Sequence, residues 1–239
     1  MVDANAQFSV KIFADGADME GILRLSADER ISGFTTNPTL MRQSGISEYE
    51  GFARKILDHV TELPVSFEVF SDEFPEMARQ AMRIASWGPN VYVKIPVTNT
   101  SGESSAALIR ELSAEGLRIN VTAMMTVEQV ETIAPALAGS RGAIASVFAG
   151  RVADTGRDPV PHMEACLRSI EEHPNVELLW ASPREILNVY QADSIGCHII
   201  TVTHDILGKL PLFGKDLTEY SLETVSMFHR DAVEASYLL

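Results

Sequence analysis

Short runs of consecutive apolar residues alternate along the chain with longer stretches in which apolar residues recur every three or four positions. The short runs, rich in Val, Ile and Phe, are typical of strands buried on both faces of a parallel sheet, and the spaced stretches are typical of amphipathic helices. We therefore predict eight strands, at residues 8–14, 31–36, 64–70, 90–98, 117–122, 142–148, 176–181 and 196–202. Helices are predicted at residues 17–28, 49–61, 75–86, 101–114, 126–137, 159–172, 184–193 and 204–209.

Eight strands that alternate with helices in 239 residues predict an α/β protein with a single (β/α)8 TIM barrel. An open, doubly wound sheet is the alternative, and the Gly-rich nucleotide-binding motif that would favour it is missing after the first strand. Residues 216–237 predict an additional, long amphipathic C-terminal helix. Because no linker or low-complexity segment interrupts the pattern, we expect one domain over residues 1–239.

The fourth predicted strand contains a lysine, Lys94, inside the apolar run Val91-Tyr92-Val93-Lys94-Ile95. A buried ammonium is costly to desolvate, so a lysine in this position is rare unless it is paired. A lysine amine in a dry pocket is a nucleophile towards carbonyl groups, as in Schiff-base enzymes. The alternative is a lysine on an edge strand whose amine reaches solvent, and the strand by itself favours neither interpretation.

Other polar residues occur in or directly after the predicted strands, where (β/α)8 barrels carry their chemistry. They are Asp15, Thr36, Asn37, Glu68, Asn120, Thr122, Ser146, Arg151, Ser182 and Arg184. Taken singly, each has a structural explanation as a cap, a turn residue or a surface ion pair. Glu68 and Lys94 favour a shared pocket, because each charge is expensive to bury alone and adjacent strands lie about 4.8 Å apart. Arg151, Ser182 and Arg184 offer donors suited to a phosphate.

Several of these residues lie in segments that resemble a known family. The segments are Gly33-Phe34-Thr35-Thr36-Asn37-Pro38-Thr39-Leu40, Val93-Lys94-Ile95-Pro96, Asn120-Val121-Thr122, Ser146-Val147-Phe148-Ala149-Gly150-Arg151 and Ala181-Ser182-Pro183-Arg184. The chain resembles the transaldolase family, most closely its short-chain branch, which also contains the fructose 6-phosphate aldolases. One departure follows Asp15, where this chain has Gly16 and the family more often has threonine.

The resemblance implies a set of catalytic residues. Lys94 would be the Schiff-base nucleophile that attacks the C2 carbonyl of a ketose phosphate, and Asp15 the general acid and base for cleavage of the C3–C4 bond. Glu68 and Thr122 would handle a catalytic water while the imine forms and is hydrolysed. This chemistry needs no cofactor, because the imine itself accepts the electrons of the broken bond.

The resemblance also implies the substrate-binding residues and the type of reaction. The substrate-binding set would be Thr36, Asn37, Asn120, Ser146, Phe148, Arg151, Ser182 and Arg184, with the last two and Arg151 on the phosphate. Transaldolases of the family carry Glu and Phe where the aldolases carry Gln and Tyr, so Glu68 and Phe148 favour transfer of a dihydroxyacetone unit to an aldose phosphate. The alternatives are a fructose 6-phosphate aldolase-like lyase that releases dihydroxyacetone, and a barrel that binds a sugar phosphate without turning it over.

Composition narrows the range of partners. The chain has 33 acidic and 19 basic residues and a net charge of −14, which argues against nucleic acid or an anionic membrane as a partner and leaves small sugar phosphates open. The histidines lack metal-ligand spacing, and no metal is expected. Cys166 and Cys197 form no CxxC motif, residues 1–6 lack a signal-peptide pattern and no apolar stretch approaches about 20 residues, so a cytoplasmic location is expected.

The resemblance implies a homo-oligomer as well. Short members of the family tend to form rings of five or ten subunits by exchanging the last helix. We therefore expect a homo-oligomer, such as a pentamer or decamer, in which residues 216–237 pack on a neighbouring subunit. Packing of this helix on its own barrel is the alternative.

Overall fold

The computed structural model describes residues 8–237. Residues 1–7 and 238–239 lie outside this range. The interpretation of residues 1–6 as lacking a signal peptide, and both ends of the predicted domain, therefore lie outside the described residues. Phe8–Leu207 forms one compact unit, and residues 208–237 belong to a second. The expectation of a single domain stays a prediction.

Eight parallel strands close into a barrel in the first unit, each paired with the next in sequence and the last with the first. The strands are β1 Lys11–Asp15, β2 Ile31–Thr35, β3 Val65–Glu68, β4 Val91–Pro96, β5 Arg118–Met124, β6 Gly142–Val147, β7 Val176–Trp180 and β8 Ile199–Thr203. The predicted (β/α)8 barrel is confirmed. Their register places Glu68 opposite Lys94 and Lys94 opposite Asn120.

Helices follow the strands of this unit. They are α1 Met19–Leu25, α2 Pro38–Gln43, α3 Tyr49–Leu57, α4 Phe74–Ala85, α5 Ala106–Ala114, α6 Val127–Ile133, α7 Ala149–Asp154, α8 Pro159–Ser169, α9 Leu187–Ser194 and α10 His204–Leu207, with a 3-10 turn at Ala134–Leu137. A capping box begins α6: the Thr126 side chain accepts from the Gln129 backbone amide, and the Gln129 side chain accepts from the Thr126 backbone amide.

Three local expectations were wrong. No helix was predicted directly after β2, yet α2 begins there, because Asn37 caps the helix and Pro38 occupies its first position. No helix was predicted directly after β6 either, but α7 lies there and carries Arg151. The helix expected from residue 101 begins only at Ala106.

An apolar cluster fills part of the barrel interior. Phe13, Ile144, Leu179 and Ile199 are buried there, with Tyr92 packed against them. Gly33 is required beside this cluster, because a Cβ at that position would lie 2.7 Å from the Phe13 ring. Leu179 also lines the polar cavity at the carboxyl end of the strands, so the cluster forms part of its floor.

The second unit contains a 3-10 turn at Leu210–Leu212 and the helix α11, Leu217–Glu234. Asp216 caps α11 by accepting from the Thr218 and Glu219 amides. No residue of α11 is buried, and its large apolar side chains, such as Leu222 and Phe228, are exposed. The predicted C-terminal helix is thus confirmed, whereas its packing on a neighbouring subunit stays a prediction. Within residues 8–237, no helix has the length and apolar character to cross a membrane.

Candidate active site

A cavity of about 560 Å³ opens at the carboxyl ends of the strands. Each residue that the sequence singled out as a site residue lines this cavity, with the exception of Thr36. Among the described residues, its lining also includes several that were not singled out: Thr35, Pro38, Thr39, Leu40, Gln43, Ala123, Leu179, Ala181, Pro183, Thr201 and Thr203. The strand ends therefore bring the predicted residues together, although they are far apart in sequence.

Lys94 is buried in the wall of the cavity, with 6% of its surface exposed. Its Nζ donates to the backbone carbonyl of Thr36 at 2.9 Å and lies 3.3 Å from Oε2 of Glu68. Two acceptors on neighbouring elements thus compensate for the desolvation of the ammonium, which settles the choice in favour of a paired lysine over one that reaches solvent. Thr36 contributes through its backbone, since its hydroxyl donates to the carbonyl of Ser66.

Asp15 lies at the end of β1, partly exposed through the cavity. Burial raises the pKa of its carboxyl above the ordinary value, and the nearby charge of Lys94 and the hydrogen bond from Thr35 offset only part of this rise. The Thr35 hydroxyl donates to Oδ1 of Asp15 at 2.7 Å and lies 2.5 Å from the hydroxyl of Thr201. Sequence reasoning missed Thr35 and Thr201, although a hydroxyl within a buried strand was a signal for both.

A second set of buried polar side chains crosses three strands. Ser146 donates to Oδ1 of Asn120 at 2.6 Å, and the Asn120 amide nitrogen donates to the hydroxyl of Ser66 at 3.1 Å. These contacts fix the orientation of the Asn120 side chain, so that each of its two polar ends has a defined partner. Ser66 is a further residue that the sequence did not single out, and it is fully buried.

The Thr122 hydroxyl is available to hydrogen-bond a small polar molecule in the cavity. Its hydroxyl oxygen is buried and has no hydrogen-bond partner within the described part of the chain, and its residue lines the cavity. A buried hydroxyl without a partner is costly, so a water or a substrate atom in the cavity would stabilise it. The next residue, Ala123, has a φ of 64°, a left-handed conformation that is uncommon for alanine.

Two arginines provide positive charge in the lining of the cavity. The Arg184 guanidinium makes a two-pronged ion pair with Asp154, an exposed carboxylate that does not line the cavity, and this pairing lowers the pKa of Asp154. Arg151 extends over the ring of Phe148, with 5.1 Å between the guanidinium carbon and the ring centroid. Both arginines line the cavity, but the Nε–Nη2 edge of Arg184 is occupied by Asp154, so an anion in the cavity would meet the remaining guanidinium donors.

The backbone of Ser182 adopts an unusual conformation between the two arginines, with a φ of 61°. Its carbonyl lies so close to Gly150 that a Cβ there would come within 1.5 Å of the oxygen. Only glycine fits at this place, so Gly150 allows α7 to begin directly against the loop after β7. This close approach keeps Arg151 and Ser182 beside each other.

Asn37 has a structural task in addition to its place in the lining. Its side-chain oxygen accepts from the Leu40 amide at 3.0 Å as the cap of α2. The oxygen is therefore engaged, and the amide nitrogen is the end of the side chain that can donate to a ligand.

The departure at Gly16 has a steric explanation. A Cβ on Gly16 would lie 2.9 Å from Nε2 of His204, and one on Gly21 would lie 2.6 Å from its Nδ1. The imidazole thus fills the space beside both glycines, and burial lowers the pKa of His204, which favours its neutral form. The interpretation of His204 as a packing residue agrees with this position.

The fold and the cavity define the class: a (β/α)8-barrel protein whose polar site is built around a buried, paired lysine. The sequence model described as Transaldolase/Fructose-6-phosphate aldolase matches residues 12–238. The chain belongs to this family, and it is an enzyme of the transaldolase type. The resemblance stated from the sequence is confirmed.

Individual relatives agree with the family assignment. A protein named probable transaldolase from Dehalococcoides mccartyi is 37% identical over 199 residues, which cover 83% of this chain and 88% of the relative. A probable transaldolase 2 from Listeria monocytogenes is 33% identical over 216 residues, 90% of this chain and 93% of the relative. A probable transaldolase from Nitrosopumilus maritimus is 31% identical over 220 residues, 90% of this chain and 92% of that protein.

Solved structures support the fold alone. Dihydrodipicolinate synthase from Rhodopseudomonas palustris superposes with a TM-score of 0.57 at 14% identity, over 95% of this chain and 80% of that one. A 2,3-dimethylmalate lyase gives a TM-score of 0.57 at 14% identity, over 95% of this chain and 82% of that one. At such low identity the likeness extends to the barrel and not to its chemistry.

Proposed function

We propose that the protein transfers a dihydroxyacetone unit from a ketose phosphate, such as fructose 6-phosphate or sedoheptulose 7-phosphate, to an aldose phosphate through an imine on Lys94. The observation that carries this proposal is the buried Lys94 amine 3.3 Å from the Glu68 carboxylate, in a cavity that also holds Asp15 and two arginines. Nucleophile, proton carriers and anion-binding groups are thus present in one cavity.

Imine formation begins when the Lys94 amine adds to the C2 carbonyl of the ketose. Glu68 is the nearest carboxylate and can take the proton that the ammonium must lose before it attacks. The carbinolamine then loses its C2 hydroxyl as water, a step in which Glu68 donates a proton and the buried hydroxyl of Thr122 holds the water. The same groups act in reverse when water hydrolyses the imine at the end of the cycle.

Cleavage follows from the iminium. Asp15 takes the proton of the C4 hydroxyl, the C3–C4 bond breaks, and its electron pair moves into the iminium to give an enamine. The departing fragment leaves as an aldose phosphate, and the enamine then attacks the aldehyde carbon of the acceptor while Asp15 returns the proton to the aldehyde oxygen. Asn37, Asn120 and Ser146 would hold the hydroxyls of the three-carbon unit during the exchange.

Transfer, rather than simple cleavage, is proposed because Glu68 and Phe148 are the residues that the family's transaldolases carry. The test is acceptor dependence: with fructose 6-phosphate alone the enzyme should hold the three-carbon unit and release little dihydroxyacetone. Addition of erythrose 4-phosphate should then restore turnover and give sedoheptulose 7-phosphate. Steady release of dihydroxyacetone at the same rate without an acceptor would favour the aldolase alternative.

Replacing Arg184 with alanine should raise KM for phosphorylated ketoses by about 10–100-fold, because a hydrogen bond between two charged groups contributes about 1.5–3 kcal/mol. KM for an unphosphorylated ketose such as fructose should change by less than about twofold, since that substrate makes no contact through a phosphate. Steady-state kinetics with both ketoses would measure the difference, with the exposed Arg157→Ala as a control. Equal losses on both substrates would show that the phosphate lies elsewhere.

A further inference from the structure

On the β2 side of β3, the cross-strand hydrogen bonds stop before Glu68. Pairing between β2 and β3 covers Phe34 with Val65 and Thr35 with Ser66, and the last bond of this ladder runs from the Thr36 amide to the Ser66 carbonyl at 3.2 Å. In a parallel strand, alternate residues direct both backbone groups to the same neighbour, so Glu68 faces the side of β2. Because the chain turns into α2 at Pro38, the ladder between β2 and β3 ends before Glu68.

Tyr49, the first residue of α3, takes the place of the missing strand. The Glu68 amide donates to the Tyr49 hydroxyl at 2.7 Å, and the hydroxyl donates to the Glu68 carbonyl at 3.1 Å. One hydroxyl therefore satisfies both backbone groups of this residue. The contacts hold the Cα of Glu68 from the outside of the barrel, while its side chain reaches Lys94 on the inside.

Three aromatic side chains hold the phenol ring in place. Phe70, Trp87 and Phe67 meet the Tyr49 ring edge to face, with centroids at 4.4, 5.6 and 6.2 Å. Burial raises the pKa of Tyr49, and the hydrogen bond from the Glu68 amide offsets only part of this rise. The phenol thus keeps the single proton that it donates to the Glu68 carbonyl.

We propose that Tyr49 is the positioning residue for Glu68, through the two hydrogen bonds between its hydroxyl and the Glu68 backbone. This inference rests on the proposed function, in which Glu68 moves protons while the Lys94 imine forms and is hydrolysed. Proton transfer depends on the placement of the carboxylate to within a fraction of an ångström, and Glu68 is the last residue of its strand. The Val69 amide donates to the Lys94 carbonyl at 3.1 Å on the β4 side, so Tyr49 supplies the restraint that is missing on the β2 side.

Tyr49→Phe is the variant that isolates the hydroxyl, because it keeps the ring and its aromatic contacts. We expect kcat to fall by about 5–20-fold, with KM for fructose 6-phosphate changed by less than twofold, since the arginines that bind the phosphate are untouched. Each rate is divided by the fraction of protein whose Lys94 borohydride can trap, so that misfolded protein does not lower the measured kcat. Trp87→Phe, which keeps an aromatic ring beside Tyr49 and leaves the hydroxyl in place, should lower kcat by less than twofold.

A double-mutant cycle with Glu68→Gln shows whether Tyr49 acts through Glu68. If it does, adding Tyr49→Phe to Glu68→Gln should cost less than a further twofold in kcat, because the group that Tyr49 positions is already gone. Multiplied losses, an unchanged kcat in Tyr49→Phe, or an equal loss in Trp87→Phe would overturn the inference. Each of these results requires an active wild-type enzyme whose Lys94 is trapped, whereas failure of the proposed function would show as wild-type protein without an adduct.

Discussion

Replacing Lys94 with methionine is expected to lower ketose turnover by about three orders of magnitude or more, the scale on which removal of a nucleophile acts. Methionine matches the length of the lysine side chain but has no amine to add to the C2 carbonyl, so no imine can form. Arg151 and Arg184, the proposed phosphate ligands, remain. Binding of fructose 6-phosphate, measured by calorimetry, should therefore weaken only a few-fold while kcat is lost.

A matched control is available at the opposite end of the barrel strands. Lys11 begins β1 and forms an ion pair with Glu177 on β7, so it is also a strand lysine paired with a glutamate. It is half-exposed and does not line the cavity. Lys11→Met should leave kcat within about twofold of wild type, and a Lys94→Met enzyme that kept a tenth of the wild-type rate would exclude Lys94 as the nucleophile.

Asp15→Asn should have the second largest effect, a fall in kcat of about 10²–10⁴-fold, the usual contribution of general acid–base catalysis. The amide has nearly the same shape but cannot take the C4 hydroxyl proton. Because Lys94 and Glu68 remain, the imine should still form and should accumulate before cleavage. Borohydride reduction of the variant with fructose 6-phosphate should then trap the intact six-carbon ketose on Lys94.

The control for this variant is Asp18→Asn, three residues further along. Asp18 is exposed and caps α1 by accepting from the Gly21 amide, a task that asparagine performs equally well. We expect wild-type rates from it. If the Asp15 variant instead yielded a three-carbon adduct as quickly as wild type, Asp15 would not be the base for cleavage.

The pH dependence of the Asp15 variant gives an additional readout. Asp15 must be ionised to accept the proton, and burial raises its pKa in the free enzyme, so the acidic limb of the wild-type kcat/KM profile should lie above the ordinary range of an aspartate and disappear in Asp15→Asn. The native state binds more protons than the unfolded state between the ordinary and the raised pKa. Stability therefore falls as pH rises through this window, and the asparagine variant should not show that loss.

The hydrophobic pattern was sufficient to predict the barrel, because each strand contains consecutive buried residues, most of which are apolar. The same reasoning placed Asp15, Glu68, Lys94 and Asn120 together, since residues at the carboxyl ends of parallel strands must converge when the sheet closes. The short helix α2 was missed because Asn-Pro occurs both in turns and at helix starts.

Contacts between side chains distant in sequence could not be predicted in the same way. Thr35 supports Asp15 and Thr201 lies against Thr35, but their pairing follows from the register of β1 with β2 and β8, which the sequence does not contain. The ion pair of Arg184 with Asp154 depends in the same way on how α7 lies against the loop after β7. Polar residues at the strand ends are thus easier to find from sequence than the residues that orient them.

The most direct test of the imine on Lys94 is borohydride trapping of the wild-type enzyme with fructose 6-phosphate, analysed by intact mass and peptide mapping. The account predicts a reduced three-carbon unit attached to Lys94, which would establish imine formation and C3–C4 cleavage in one measurement. An adduct on another lysine, or no adduct on Lys94 with fructose 6-phosphate, sedoheptulose 7-phosphate or any other ketose phosphate tested, would contradict it.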